Sequence, residues 1–173
     1  MKEVVVITGA GGVLCSSFAK ALAGRNYSVA LLDLNEDAVL KLAEEINAAG
    51  GTARGYKTNV LDRAVLESVH KSVLEELGPC SILINGAGGN SPKCTTVHEF
   101  FEEGDDTAED FLTFFNLDKA GFNFVFDLNL MGTLLPTQVF GKILADKDEG
   151  VIINIASVNA FTPLTNIPAY SAA

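Results

Sequence analysis

The chain has 173 residues, 48% of them hydrophobic, and 12 basic against 22 acidic side chains, a net charge of −10. That length suits one domain with a real core, and the acidic balance argues against nucleic acid or anionic membrane as a partner, because both need a basic face. Cys15, Cys80 and Cys94 are far apart, and with only His70 and His98 they offer no metal spacing or disulfide framework; a reducing, cytoplasmic setting and no metal are expected.

No apolar leader precedes the first strand, and no apolar run approaches a membrane span. Residues 3–10, EVVVITGA, are a β-branched run closed by glycines and predict a buried strand. Helical spacing follows from Val13 to Ala23, and residues 27–34 predict a second strand. Residues 35–51 predict a helix: Asn35 can cap it, acids fill its first turn, and Gly50-Gly51 ends it. A weaker third strand is expected over 52–60, a helix starting at Asp62 over 62–77, a fourth strand over 80–89 and a fifth over 151–157. Strands that are apolar throughout and alternate with helices predict a parallel sheet covered on both faces. Right-handed crossovers make it a doubly wound α/β fold, with ligands at the carboxyl ends of the strands.

Residues 90–128 break this rhythm. They read as an acidic, Phe-rich insertion at about 90–121, leading into a helix from about Phe122 to Ala145. Glu102, Glu103, Asp105, Asp106, Glu109 and Asp110 are expected on the solvated side of a lid or an oligomer edge. The phenylalanines at 100, 101, 111, 114 and 115 are expected to pack that lid down. His70 and His98 have no ligand-spaced partner and receive no role.

The first strand opens into a glycine turn and a helix. Gly9, Gly11 and Gly12 let backbone approach a pyrophosphate, and the helix start, with Val13 and Leu14, offers free N–H groups. Asp33, 24 positions after Gly9, stands where a carboxylate accepts from the adenosine ribose diol and repels a 2′-phosphate. Leu34 and Asn35 supply no cation for such a phosphate, so NAD is favoured over NADP. Asn59 and Val60 at the third strand end suit the adenine, and Asn85, Gly86, Ala87 and Gly88 give a second stretch of flat backbone. Cys15 reads as a small packing residue, or as a thiol activated by the helix start.

Ser157 lies just past the fifth strand and Tyr170 thirteen residues on. With Thr8-Gly9, Asp33, NGAG at 85–88 and Asn129 in NLMG, this pattern resembles the short-chain dehydrogenases/reductases, with Tyr170 opening a YxxxK motif. The loop departs from the family's TGxxxGxG form at Val13 and Cys15. Stretches such as ITGAGGVLCSSFAKALA, INGAGGNSPK and NAFTPLTNIPAYSAA are similar to the D-mannonate oxidoreductase (fructuronate reductase) branch. The resemblance implies a Rossmann-type NAD-binding domain and hydride transfer between nicotinamide and a carbinol or carbonyl carbon. It makes Tyr170 the general acid/base, Ser157 the hydrogen-bond partner of the substrate oxygen, and Asn129 the holder of a water in the proton relay.

A tyrosine titrates near pH 10, so only about one in a thousand is phenolate at pH 7. The site therefore needs nearby positive charge. The family draws part of it from a lysine four residues after the tyrosine, one position past Ala173, so the resemblance expects a chain that continues and completes the sheet. It also implies a homo-oligomer, tetramer or dimer. A sugar-acid substrate needs a cation for its carboxylate; Lys93 is the candidate, with Asn90 and Ser91 as hydroxyl partners and Asn159 also facing the substrate. Two rivals stand beside the fructuronate/mannonate reading: a reductase of another polyol or keto acid, and a non-catalytic NAD-binding module.

Overall fold

The run Val4-Val5-Val6-Ile7 is excluded from water on both faces, as a central parallel strand must be. The computed structural model describes residues 2–105, 107, 111–147 and 149–173. Strands β1 (Val4–Thr8), β2 (Ser28–Asp33), β3 (Thr52–Lys57), β4 (Cys80–Asn85) and β5 (Val151–Asn154) form one parallel sheet in the order β3-β2-β1-β4-β5. Every pairing is parallel, so the predicted doubly wound α/β architecture is the one observed. The helices are α1 (Val13–Ala23), α2 (Glu36–Ala48), α3 (Arg63–Glu76), α4 (Lys119–Phe126), α5 (Gly132–Lys147) and the single-turn α6 (Pro168–Ala172).

Alternation along the strands divides the core between the two faces. Val5, Ile7, Val29 and Leu31 pack with Cys15, Ala19, Val39 and Ile46 of α1 and α2. Val4, Val6, Ala30 and Leu32 pack with Leu66, Val73, Phe140 and Leu144 of α3 and α5. Each fully buried Val, Leu, Ile or Phe side chain among them contributes about 1.5–3 kcal/mol. The helix starts follow the sequence: Asn35 Oδ1 accepts from Ala38 N–H at 3.2 Å and Asp62 Oδ1 from Val65 N–H at 3.1 Å. Asn47 adds a latch that no local pattern announces, bonding both the N–H and the carbonyl of Ala53 in β3.

Three expectations change. The strand β5, the sheet edge among the described residues, is exposed along its whole length rather than covered. The helix expected from Phe122 begins earlier, at Lys119, where Asp118 caps it. It is also broken by a wide π-turn at Asp127–Met131 before α5. Pro136 lies inside α5 and lacks the N–H that would bond Gly132, so the regular ladder is weakest just after that turn.

Two compact units make up the chain. One is Met1–Ala87 with Met131–Ile155 and contains the sheet; the other is Gly88–Leu130 with Ala156–Ala173. The second has its own small core of Cys94, Val125 and Ala169, flanked by Phe122 and Tyr170. Its acids do not all face solvent: Asp105 is buried, lies 3.3 Å from His98 Nδ1, and accepts from Glu102 N–H at 2.9 Å. Asp106, Glu109 and Asp110 lie outside the described residues. Phe100, Phe101, Phe114 and Phe115 are exposed rather than packed, with Phe115 edge-on to both Phe101 and Phe114. Among the described residues no helix is long and apolar enough to cross a membrane.

Candidate active site

In the first unit the ends of β1, β2 and β4 converge on the glycine turn. Gly9 has φ +65°, and a Cβ there would lie 2.8 Å from Ala87 N and from Gly86 O. Only glycine allows both that conformation and that approach. Thr8 Oγ1 accepts from Gly86 N–H at 3.1 Å and Ala87 N–H at 3.2 Å, tying β1 to β4. A Cβ on Gly86 would collide with Cys15 Sγ and come within 3.0 Å of Thr8 O. Cys15 is thus a packing residue: burial first, and the Asp33 carboxylate second, raise its thiol pKa, which removes the activated-thiol alternative.

The carboxylate of Asp33 braces the turn. Its Oδ2 accepts from Gly11 N–H and its Oδ1 from Asn35 N–H, both at 2.9 Å. Each oxygen keeps a lone pair for a further donor such as a ribose hydroxyl. The helix cap Gly12 has no side chain to satisfy the first-turn N–H groups of α1, and Val13 and Leu14 are exposed there. A glycine-lined turn, a bare helix start and a carboxylate at the neighbouring strand end together fit a dinucleotide. Asn59 is exposed, and its Oδ1 accepts from Leu61 N–H, leaving its NH2 as the outward polar group. Val60 is buried, so its side chain faces inward rather than toward a ligand.

Asn85 has a structural role beside the backbone stretch it opens. Its side chain is buried and its NH2 donates to Thr137 Oγ1 and Asn154 Oδ1, both at 2.9 Å. It clamps β4 to α5 and β5, which leaves the backbone of Gly86 and Ala87 as the part that can meet a cofactor. Thr137 and Asn154 escaped the sequence reading because their partner lies 52 and 69 residues away.

The second unit holds Asn129, Ser157 and Tyr170. Asn129 sits in the π-turn and donates to Gly89 O and Val125 O, both at 2.8 Å, while its Oδ1 accepts from Gly89 N–H at 3.0 Å. Both side-chain N–H groups are spent on backbone, so the amide shapes the loop after β4. Gly88 leaves room for it: a Cβ there would lie 2.8 Å from Asn129 Oδ1. The hydroxyl of Ser157 accepts from Asn159 N–H at 3.2 Å, which fixes a short turn and leaves its own hydrogen to donate. Tyr170 is half-buried on α6 against the Cys94–Val125–Ala169 core, and among the described residues its hydroxyl makes no internal hydrogen bond.

The substrate candidates part ways. Lys93 is exposed in a short turn whose cap, Ser91, is buried, with its Oγ accepting from Lys93 N–H at 3.3 Å. Ser91 is therefore committed to the fold. Asn90 is exposed and donates to Thr95 Oγ1 at 3.0 Å. Asn159 is buried, against the expectation that it faces the substrate.

The chain matches an uncharacterized oxidoreductase of Haemophilus influenzae at 56% identity over 99% of its own length and 59% of the relative's. It matches an uncharacterized oxidoreductase of Bacillus subtilis, UxuB, at 44% identity over 99% of this chain and 60% of that one. A Haemophilus crystal structure with bound NAD, provisionally named a D-mannonate oxidoreductase, superposes with a TM-score of 0.93 at 55% identity, covering 98% of this chain and 60% of that one. The chain thus spans about three-fifths of the length of these relatives. The short chain dehydrogenase family model matches residues 3–173, and to that family the chain belongs.

Proposed function

We propose that the protein is an NAD-dependent oxidoreductase that interconverts a secondary alcohol and a ketone on a sugar acid, with D-mannonate and D-fructuronate as the pair. The observation that carries this reading is the two hydroxyls of the second unit: Ser157 retains its hydrogen for donation, and among the described residues the Tyr170 hydroxyl makes no internal hydrogen bond. The Haemophilus structure bearing NAD and the mannonate name supports the cofactor and the branch.

When bound, the nicotinamide supplies a hydride acceptor or donor at C4. In the oxidative direction Tyr170 takes the hydroxyl proton while the carbinol carbon gives up its hydride, so the alcohol loses two electrons and two protons in all, one proton within the hydride, and becomes a carbonyl. In reduction Tyr170 returns that proton to the carbonyl oxygen. Ser157 donates a hydrogen bond to the same oxygen and steadies its charge. Asp33 binds the adenosine ribose, and the α1 start takes the pyrophosphate. Lys93 is the surface cation that pairs with the substrate carboxylate. On this reading the protein acts in the cytoplasm as a homo-oligomer.

The test is NADH absorbance with purified full-length protein and a panel of keto sugars and keto acids. Turnover of D-fructuronate above the others is expected. Turnover of a different keto sugar alone sinks the branch assignment, and cofactor binding with no turnover of any of them favours a non-catalytic module.

A further inference from the structure

The helix α6 carries Tyr170, and its neighbours within the second unit hold the turn in which that residue stands. Two supports are visible. Ala169 is fully buried against Cys94 and Val125. Just before the helix, Asn166 is clasped to Thr96 of the insertion in both directions. Its backbone O accepts from Thr96 N–H at 2.9 Å, and its Nδ2 donates to Thr96 O at 3.1 Å and Thr96 Oγ1 at 3.3 Å.

Thr96 is itself anchored. It is buried, and its hydroxyl donates to His98 O at 2.8 Å. The next residue, Val97, donates its N–H to Leu112 O at 2.8 Å. His98 lies against Phe111 and faces the buried Asp105, whose other oxygen accepts from Glu102 N–H. The insertion is thus bonded to itself on one side and to the segment entering α6 on the other.

We infer that Asn166 is a positioning residue: its clasp on Thr96 makes the insertion the scaffold that aims the Tyr170 hydroxyl. This rests on the oxidoreductase reading for its catalytic consequence, but the clasp itself has a readout free of turnover. A misplacement of about 1 Å at a reacting group costs on the order of a hundredfold in rate.

In the full-length protein, Asn166→Ala removes the side-chain donor. Asn166→Asp keeps the size and removes the same donor, guarding against a simple packing defect. Both are expected to lower kcat by roughly 10- to 100-fold while NADH affinity, read by fluorescence titration, stays at the wild-type value. Amide hydrogen exchange is expected to speed up at Thr96 and over residues 169–172, with the first-unit helices unchanged. Thr96→Ser, which keeps every clasp atom, is expected to match wild type. Wild-type kcat and unchanged exchange in Asn166→Ala overturn the inference, as does a loss shared equally by NADH affinity. If wild-type protein turns over no substrate but the exchange changes appear, the clasp stands and the functional reading falls.

Discussion

Asp33 serves two purposes at one strand end: it braces Gly11 and Asn35 and leaves lone pairs facing outward. Asp33→Ser is expected to weaken NADH binding and narrow the preference over NADPH, measured as the ratio of the two dissociation constants; an unchanged ratio removes Asp33 from cofactor selection. Gly86 faces Cys15 with no room for a methyl group, so Gly86→Ala is expected to destabilise by about 1–3 kcal/mol through overpacking. Urea denaturation checks this, and Cys15→Ala in the same chain should recover part of the loss, since the two share one contact. His70 lies edge-on to Phe140 at 5.1 Å, and burial pulls its pKa below the ordinary 6.5. A depressed histidine binds its proton more readily unfolded than folded. Its contribution is therefore complete above about pH 6.5 and is lost as pH falls toward and through the lower folded pKa. His70→Gln should flatten that acid-side slope in denaturation midpoints taken from pH 7.5 to 5 (about 0.5 unit steps suffice).

At the scale of elements, what could be read from the sequence was whatever its chemistry decides locally. The strands β1, β2 and β4 announced themselves by apolar runs, and α2 and α3 by Asn35 and Asp62, because a cap and the N–H that donates to it lie within one turn. The glycine turn and Asp33 were legible because their types and spacing follow from what a pyrophosphate and a ribose require. The π-turn was not, since Asp127–Met131 has ordinary helix formers and is held by Asn129 bonding to Gly89, 40 residues away. Nor were the roles of Asn85, Asn47 and Asn166, each a polar side chain whose partner is set by the tertiary fold. Asn129→Ala is expected to raise amide exchange at Gly89 and through the π-turn, because it strips three hydrogen bonds from backbone groups. Unbonded buried groups cost about 1–3 kcal/mol each. Protection unchanged at Gly89 would show that the loop holds its shape without the amide.

For the whole molecule, the parallel sheet and the acidic charge were both evident early, whereas the division into two units was not, because it depends on packing between distant parts of the chain. The first unit carries the glycine turn and Asp33, and the second carries Ser157 and Tyr170. In the proposed reaction this tyrosine moves the proton while the first unit does the cofactor binding. The measurement that tests it most directly compares Tyr170→Phe with wild type in full-length protein, reading NADH affinity and kcat on the same samples. Equal NADH affinity is expected, with a kcat lower by about 10²–10⁴-fold, the usual worth of a positioned acid/base. Wild-type kcat in Tyr170→Phe contradicts it.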